Sequence, residues 1–203
     1  TTQGKVFKLG TNGAVQWETN LNVTPYNVSY IYGIGVNAKT VFVTANNGVY
    51  ALEKNGSIRS RLVLFNDSVL TAPAAGSDYV IFGIGKDLMR LSETGQVQWK
   101  VTISEGAFWL SRPVIDGSNV YVGALDNRMH AYTASGGFEV WQARARNWVE
   151  STPLVSQGAV YFGSNDGKVY GVDSQSGEVK WEAQTTLAVQ SQPEAGTMGG
   201  RSV

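Results

Sequence analysis

An all-β fold built by radial stacking of one supersecondary unit, a β-propeller of five four-stranded blades, is predicted by three features of this 203-residue sequence. Pro73, Pro113, Pro153 and Pro193 recur at intervals of 40 residues inside the related phrases TAPAAGSDYVIFG, SRPVIDGSNVYVG, STPLVSQGAVYFG and SQPEAGTMGGRSV. Segments such as VYALEKNG, LMRLSETG, MHAYTASG and VYGVDSQSG alternate with period two and end in Gly/Asn/Asp/Ser turns. Trp17, Trp99, Trp141 and Trp181 then follow the turn glycines Gly13, Gly95, Gly136 and Gly177 by four or five residues. No segment carries apolar residues at helical spacing.

Each unit reads as four strands in order. The first lies around the proline, where a missing N–H is tolerated at the start of an edge strand. The second is the VYVG type and the third the VYALD type, both rich in β-branched and aromatic residues. The fourth carries the tryptophan. In the second unit Arg59, Ser60 and Arg61 stand where the tryptophan would be, after the turn glycine Gly56. Its outer strand is therefore expected to be the least well anchored.

The phrases GVDSQSGEVKW, RLSETGQVQW and KLGTNGAVQW, each preceded by a VYFG-like strand, resemble the PQQ-like β-propeller repeat, in five copies spanning essentially the whole chain. That repeat is shared by quinoprotein dehydrogenases and by non-catalytic propellers of the BamB type. The resemblance implies a docking role, against the next blade, for Trp17, Trp99, Trp141 and Trp181.

The chain ends fit one expectation about closure. Aligned on the prolines, Val203 takes the place of Gly123, and aligning VFKLGTNG with MHAYTASG puts Thr1 in the place of Ala124, the next position. A single domain over 1–203 would then close as a five-bladed ring and be monomeric, one blade being split between the termini so that GGRSV pairs with GKVFKL and removes sheet edges. Because the resembled family commonly has eight blades, a partial eight-bladed propeller is the alternative. The start at Thr1, without a methionine or apolar leader, fits a processed mature form or an excised domain.

Composition narrows the partners. With 16 basic and 16 acidic residues the net charge is zero, which argues against nucleic acid or an anionic membrane surface. No run of 18 apolar residues exists, so no transmembrane segment is expected. The absence of cysteine excludes disulfides and thiolate metal sites. Low charge, Asn/Thr/Gly-rich turns and the resemblance together favour a bacterial periplasmic, cell-surface or extracellular setting.

Catalysis has little material. The one histidine, His130, occupies the third-strand position held elsewhere by Phe7, Tyr50, Met89 and Tyr170, and reads as a packing residue. Ser164 to Gly167 and Ala124 to Asn127 read as hairpin chemistry rather than calcium loops, since the full loop pattern is absent. Glu105, Glu150 and Glu194 offer carboxylates at near-equivalent positions, without the signature of a glycosidase. A quinoprotein dehydrogenase would need calcium ligands, a catalytic aspartate and, in this family, usually a vicinal cysteine pair. The chain is expected to be no enzyme, with no cofactor and no metal.

A binding surface remains. The fourth-to-first strand connections depart most from the repeat, and three of them carry extra aromatics: Tyr26, Tyr30 and Tyr32, then Phe108 and Trp109, then Trp148. Arg112, Arg144 and Arg146 lie beside them in sequence. Rigid rings on loops supply contact area at low entropic cost, so this loop face is expected to bind a protein or peptide. The alternatives are a glycan- or small-molecule-binding propeller, stacking sugars on the same rings, and a fragment of a PQQ-dependent dehydrogenase; padding of neighbouring blades is the bland reading.

Overall fold

The computed structural model describes residues 4–22, 28, 30–63, 71–103, 105, 111–194, 197–198 and 201–202. Two compact units divide the chain, Thr1–Lys100 and Val101–Val203. The predicted all-β composition is found throughout the described residues, as antiparallel strands without helices.

In the first unit, β1 (Lys5–Leu9) and β2 (Val15–Asn20) form a two-stranded sheet. A four-stranded meander follows, with β3 (Ile31–Val36), β4 (Thr40–Ala45), β5 (Gly48–Glu53) and β6 (Ile58–Val63). The next meander runs from β7 (Ala74–Ala75) through β8 (Tyr79–Ile84) and β9 (Asp87–Ser92) to β10 (Val97–Thr102). In the second unit, β11 (Val114–Asp116), β12 (Asn119–Ala124), β13 (Arg128–Thr133) and β14 (Glu139–Arg144) make one four-stranded sheet. Another comprises β15 (Leu154–Ser156), β16 (Ala159–Gly163), β17 (Lys168–Asp173) and β18 (Val179–Gln184), before the short pair β19 (Thr197–Met198) and β20 (Arg201–Ser202).

Pro73, Pro113 and Pro153 each sit one residue before a short inner strand, so the missing N–H never interrupts a ladder. The third-to-fourth strand pairing slips at equivalent places, between Lys8 and Leu9, Ala51 and Leu52, Ala131 and Tyr132, and Gly171 and Val172. That repeated bulge twists the outer strand. The turn glycine of the fourth unit is Gly137 (φ 69°) and not Gly136, so the register read from TASGG is corrected by one residue.

Both faces of the second strands β4 and β12 are buried, which is why they read as continuous apolar runs rather than as one-sided alternation. Val41, Val43, Tyr50 and Leu52 pack against Val6 and Leu21, while Phe42, Val49 and Ala51 on the opposite face meet Val80, Phe82, Met89 and Leu91. In the second unit Tyr121, Met129 and Ala131 pack with Val160, Phe162, Tyr170 and Val172 through Trp141, Ala143 and Ala145.

Tryptophan fixes these sheet-to-sheet junctions. Trp17 Nε1 donates to the Lys54 carbonyl at 2.8 Å, and its ring lies where a Cβ on Gly56 (φ 92°) would be, 2.8 Å away. Trp141 Nε1 donates to the Ser174 carbonyl at 3.0 Å, with its ring 2.6 Å from an added Cβ at Gly177 (φ 72°). Only glycine accommodates both the left-handed backbone and the ring above it.

The sheet expected to be poorly anchored is held by different chemistry. Ser60 Oγ donates to the Glu93 carbonyl at 2.9 Å, the same acceptor position in the next turn that the indole uses elsewhere. Arg59 adds ion pairs to Glu93 at 2.9 Å and Glu53 at 2.8 Å. A hydroxyl and a guanidinium thus replace one indole.

Inner strands carry a second repeated device. Thr71, Ser111 and Ser151, each two residues before its proline, accept the Gly83, Gly123 and Gly163 N–H at 2.9, 2.9 and 2.8 Å. Ser111 Oγ also donates to the Ser151 carbonyl at 3.1 Å, linking adjacent sheets.

Trp141 is only 6% exposed, so its truncation removes a large buried ring and leaves the Ser174 carbonyl with the Tyr121 hydroxyl, at 3.1 Å, as its donor. Trp141→Ala is expected to cost about 3 to 5 kcal/mol, read by denaturant unfolding of the chain. Trp141→Phe, which keeps the ring stacking, should recover more than half of that loss.

Candidate functional site

The hairpins between second and third strands, and the loops that enter the next inner strand, place the candidate residues. At three hairpins a polar residue reaches a ring on the third strand: Tyr50 OH donates to Asn47 Oδ1 at 3.0 Å, Tyr170 OH to Asp166 Oδ2 at 2.6 Å, and His130 Nε2 lies 2.9 Å from Asp126 Oδ2. His130 is 1% exposed, stacks on Tyr132 with centroids 5.8 Å apart, and meets the Tyr132 hydroxyl at 3.2 Å. It is a satisfied member of the packed interior.

The same acids shape their own turns. Asp126 Oδ1 accepts the Arg128 N–H at 3.1 Å, and Asp166 Oδ1 accepts the Lys168 N–H at 2.9 Å. Burial opposes ionisation of Asp166, but donation from Tyr170 and from the backbone N–H groups of Arg146 and Lys168 holds its carboxyl below the ordinary range. Burial, reinforced by the bond to Asp166, raises the Tyr170 phenol, and burial with the charges of Glu139 and Asp126 raises that of Tyr132. Among the described residues no group of three or more His, Cys, Asp or Glu is placed to hold a metal ion.

Glu150, buried at the entry to β15, is engaged by amides. Its Oε2 accepts from Asn165 Nδ2 at 2.6 Å and from Gln190 Nε2 at 2.7 Å. Asn165 Oδ1 is buried without a partner. Glu105 and Glu194 are exposed.

Of the predicted contact aromatics, Tyr26, Phe108 and Trp109 lie outside the described residues. Tyr30 in the first unit is 62% exposed, with its backbone tied to Asn46: its carbonyl accepts the Asn46 N–H at 3.0 Å and its N–H donates to Asn46 Oδ1 at 3.2 Å. Tyr32 is part-buried against the cluster of Phe42, Phe82 and Leu91, so its ring is padding and not free contact area. Trp148 in the second unit is 48% exposed, and its carbonyl accepts the Asn165 N–H at 2.9 Å. Both free rings therefore stand on tethered backbone.

The three arginines separate. Arg112 lies beside the next inner strand, its N–H directed at Thr152 Oγ1 at 3.3 Å. Arg144 and Arg146 instead line a groove of about 580 Å³ with Ala145, Tyr170, Val179 and Glu182. Sequence reasoning found these arginines but missed the groove, because β17 and β18 supply its other wall from the following repeat.

Of the docking tryptophans, Trp17 and Trp141 seat as described above, and Trp99 is half-buried. Trp181 is 45% exposed and leans on its own sheet, against Gly171 and Tyr161.

Comparison with known proteins adds a family. The family described as outer membrane protein assembly factor BamB matches residues 84–202. No curated protein sequence matches the chain. The crystal structure of BamB from Moraxella catarrhalis is similar at 20% identity with a TM-score of 0.77, over 95% of this chain and 62% of that one. A computationally designed protein, Ika8, is similar at 16% identity with a TM-score of 0.72, over 92% of this chain and 57% of that one. The chain thus spans less than two thirds of either structure, and at these identities the likeness concerns the fold.

Asp166 yields a pH dependence. Its folded carboxyl is depressed, so the stabilisation it brings is present at neutral pH and is lost as pH falls through the folded value. Asp166→Asn is expected to cost about 1 to 2 kcal/mol at pH 7, and urea unfolding at pH 7, 5 and 3 should show the gap to wild type closing below about pH 4.

Proposed function

The chain belongs to the PQQ-like β-propeller family of the outer membrane protein assembly factor BamB, and on that premise we propose that it is a non-catalytic scaffold. It binds a protein or peptide through its loop-face aromatics, in a bacterial periplasmic, cell-surface or extracellular setting. The observation that carries this reading is Trp148: a large apolar ring, 48% exposed, on a loop whose backbone is pinned to the next hairpin. A rigid exposed indole costs little entropy to immobilise and suits the anchor role in an interface. Tyr30 offers the same combination in the first unit.

Site-specific photo-crosslinking in the envelope of a bacterial host tests this. A crosslinker at position 148 or 30 is expected to give discrete protein adducts, whereas one at Phe138, 74% exposed on the third-to-fourth strand turn, gives none. Trp148→Ala should then weaken binding of the captured polypeptide by about ten-fold or more. Equal adducts at all three positions, or none at 148 and 30, would remove the assignment.

We also propose that 1–203 is one propeller domain in which β1–β2 and β19–β20 complete a fifth blade. Support comes from two unmatched halves of one junction. Among the described residues of its own unit Trp181 lacks the next-sheet seat that Trp17 and Trp141 have, and an added Cβ at Gly13 (φ 79°) meets no described atom of the first unit within 4 Å, unlike that at Gly56. Closure of the ring predicts a monomer of 21.9 kDa by native mass spectrometry, and a loss of about 3 kcal/mol or more on Trp181→Ala. Head-to-tail oligomers would replace closure by contacts between copies.

A further inference from the structure

We propose that the groove between β14 and the β17–β18 hairpin is an anion site that takes the carboxylate side chains of an acidic peptide, with Arg144 and Arg146 as its ligands. The inference rests on the reading that this chain binds a protein or peptide, and it names the chemistry of that partner.

Charge bookkeeping within the second unit leads there. Lys168 is paired with Glu182, and Lys180 with Asp173 at 2.8 Å. Arg144 and Arg146 have no carboxylate partner among the described residues. Arg144 also stands directly across the strand pair from Arg128, whose own contact with Asp126 is loose at 3.9 Å. Like charges facing each other across a ladder are unfavourable, so this end of the sheet gains when an anion arrives.

The acids near the groove do not fill that need. Glu182 lines it but is neutralised by Lys168. Asp166 is saturated by Tyr170 OH, Arg146 N–H and Lys168 N–H, which fixes the loop from which the Arg146 side chain projects. Arg144 and Arg146 line the groove together with Ala145, Tyr170 and Val179, in a volume of about 580 Å³. That size holds two or three residues of a peptide, and the planar guanidinium fork matches a carboxylate in bidentate geometry. The apolar members of that lining favour a glutamate flanked by an aliphatic residue over a bare polyanion.

The probe is a fluorescein-labelled hexapeptide alternating Glu and Leu with an amidated C-terminus, beside its Gln counterpart, followed by fluorescence anisotropy on the full chain. Wild type should bind the Glu peptide at least about ten-fold more tightly than the Gln peptide. Arg144→Gln with Arg146→Gln should erase that preference, and the corresponding lysine pair should restore part of it. Modification by phenylglyoxal, mapped by mass spectrometry, should be slowed by the Glu peptide at Arg144 and Arg146 but not at Arg112, which needs no variant to fold. Equal binding of the two peptides, an unchanged double Gln variant, uniform protection of all three arginines, or equally effective competition by dextran sulfate at matched charge would each overturn the proposal. Those outcomes leave the crosslinks at Trp148 standing, so the two readings fail separately.

Discussion

A sheet that is apolar on both faces cannot exist alone in water, and everything in this chain follows from how one sheet is locked to the next. The junction has three parts that must coincide: a donor on the outer strand, a carbonyl in the following turn, and a glycine beneath the donor's side chain. Trp17 on the Gly56 turn and Trp141 on the Gly177 turn supply all three with an indole. Ser60 on the Gly95 turn retains the hydrogen bond and drops the ring. Because the acceptor is a backbone carbonyl, the donor's chemistry can change while the geometry persists, which is how the Arg59 and Glu93 ion pair came to share the load.

Inner strands solve a related problem at the other edge of the sheet. A short strand that begins after proline has few ladder bonds of its own. The buried hydroxyls of Thr71, Ser111 and Ser151 bridge it to the second strand through a glycine N–H, and in the case of Ser111 onward to the next sheet. Each such hydroxyl is fully satisfied, so its burial costs little. In the β11–β14 sheet the Trp141 indole at the outer edge and the Ser111 hydroxyl at the inner edge together fix both ends and leave the fourth-to-first connection as the segment free to vary.

How much of this was legible in the sequence depends on whether a feature repeats. The strands, the proline positions and the tryptophan turns recur with one period, so alternation and turn chemistry sufficed to place them. The hydroxyl two residues before each proline recurs as well, but its role was invisible because its acceptor and donor lie on another strand. Ser60 misled for a physical reason: a rule that looks for a large ring does not see a small donor aimed at the same carbonyl. The phrase TASGG held two glycines, and only the backbone angles assign the left-handed place to Gly137. Tyr32 looked like a loop aromatic from its neighbours Tyr26 and Tyr30, yet it belongs to β3, where the pleat turns it to the core.

The arginines carry the argument furthest from the repeat. Proximity to the loop aromatics grouped Arg112, Arg144 and Arg146, but a propeller connection runs from the outer edge of one sheet to the inner edge of the next. Residues at opposite ends of such connections are thereby spread apart, as Arg112 is at the inner strand and Arg144 is at the outer one. What comes together instead is the end of one outer strand and the hairpin of the following sheet, two elements separated by more than twenty residues. Junction chemistry keeps those two elements at a fixed spacing, so side chains on either wall change the ligand without disturbing the fold. Exposed guanidinium groups there stand beside Lys168 and Lys180, which are both paired, and so are open to a ligand.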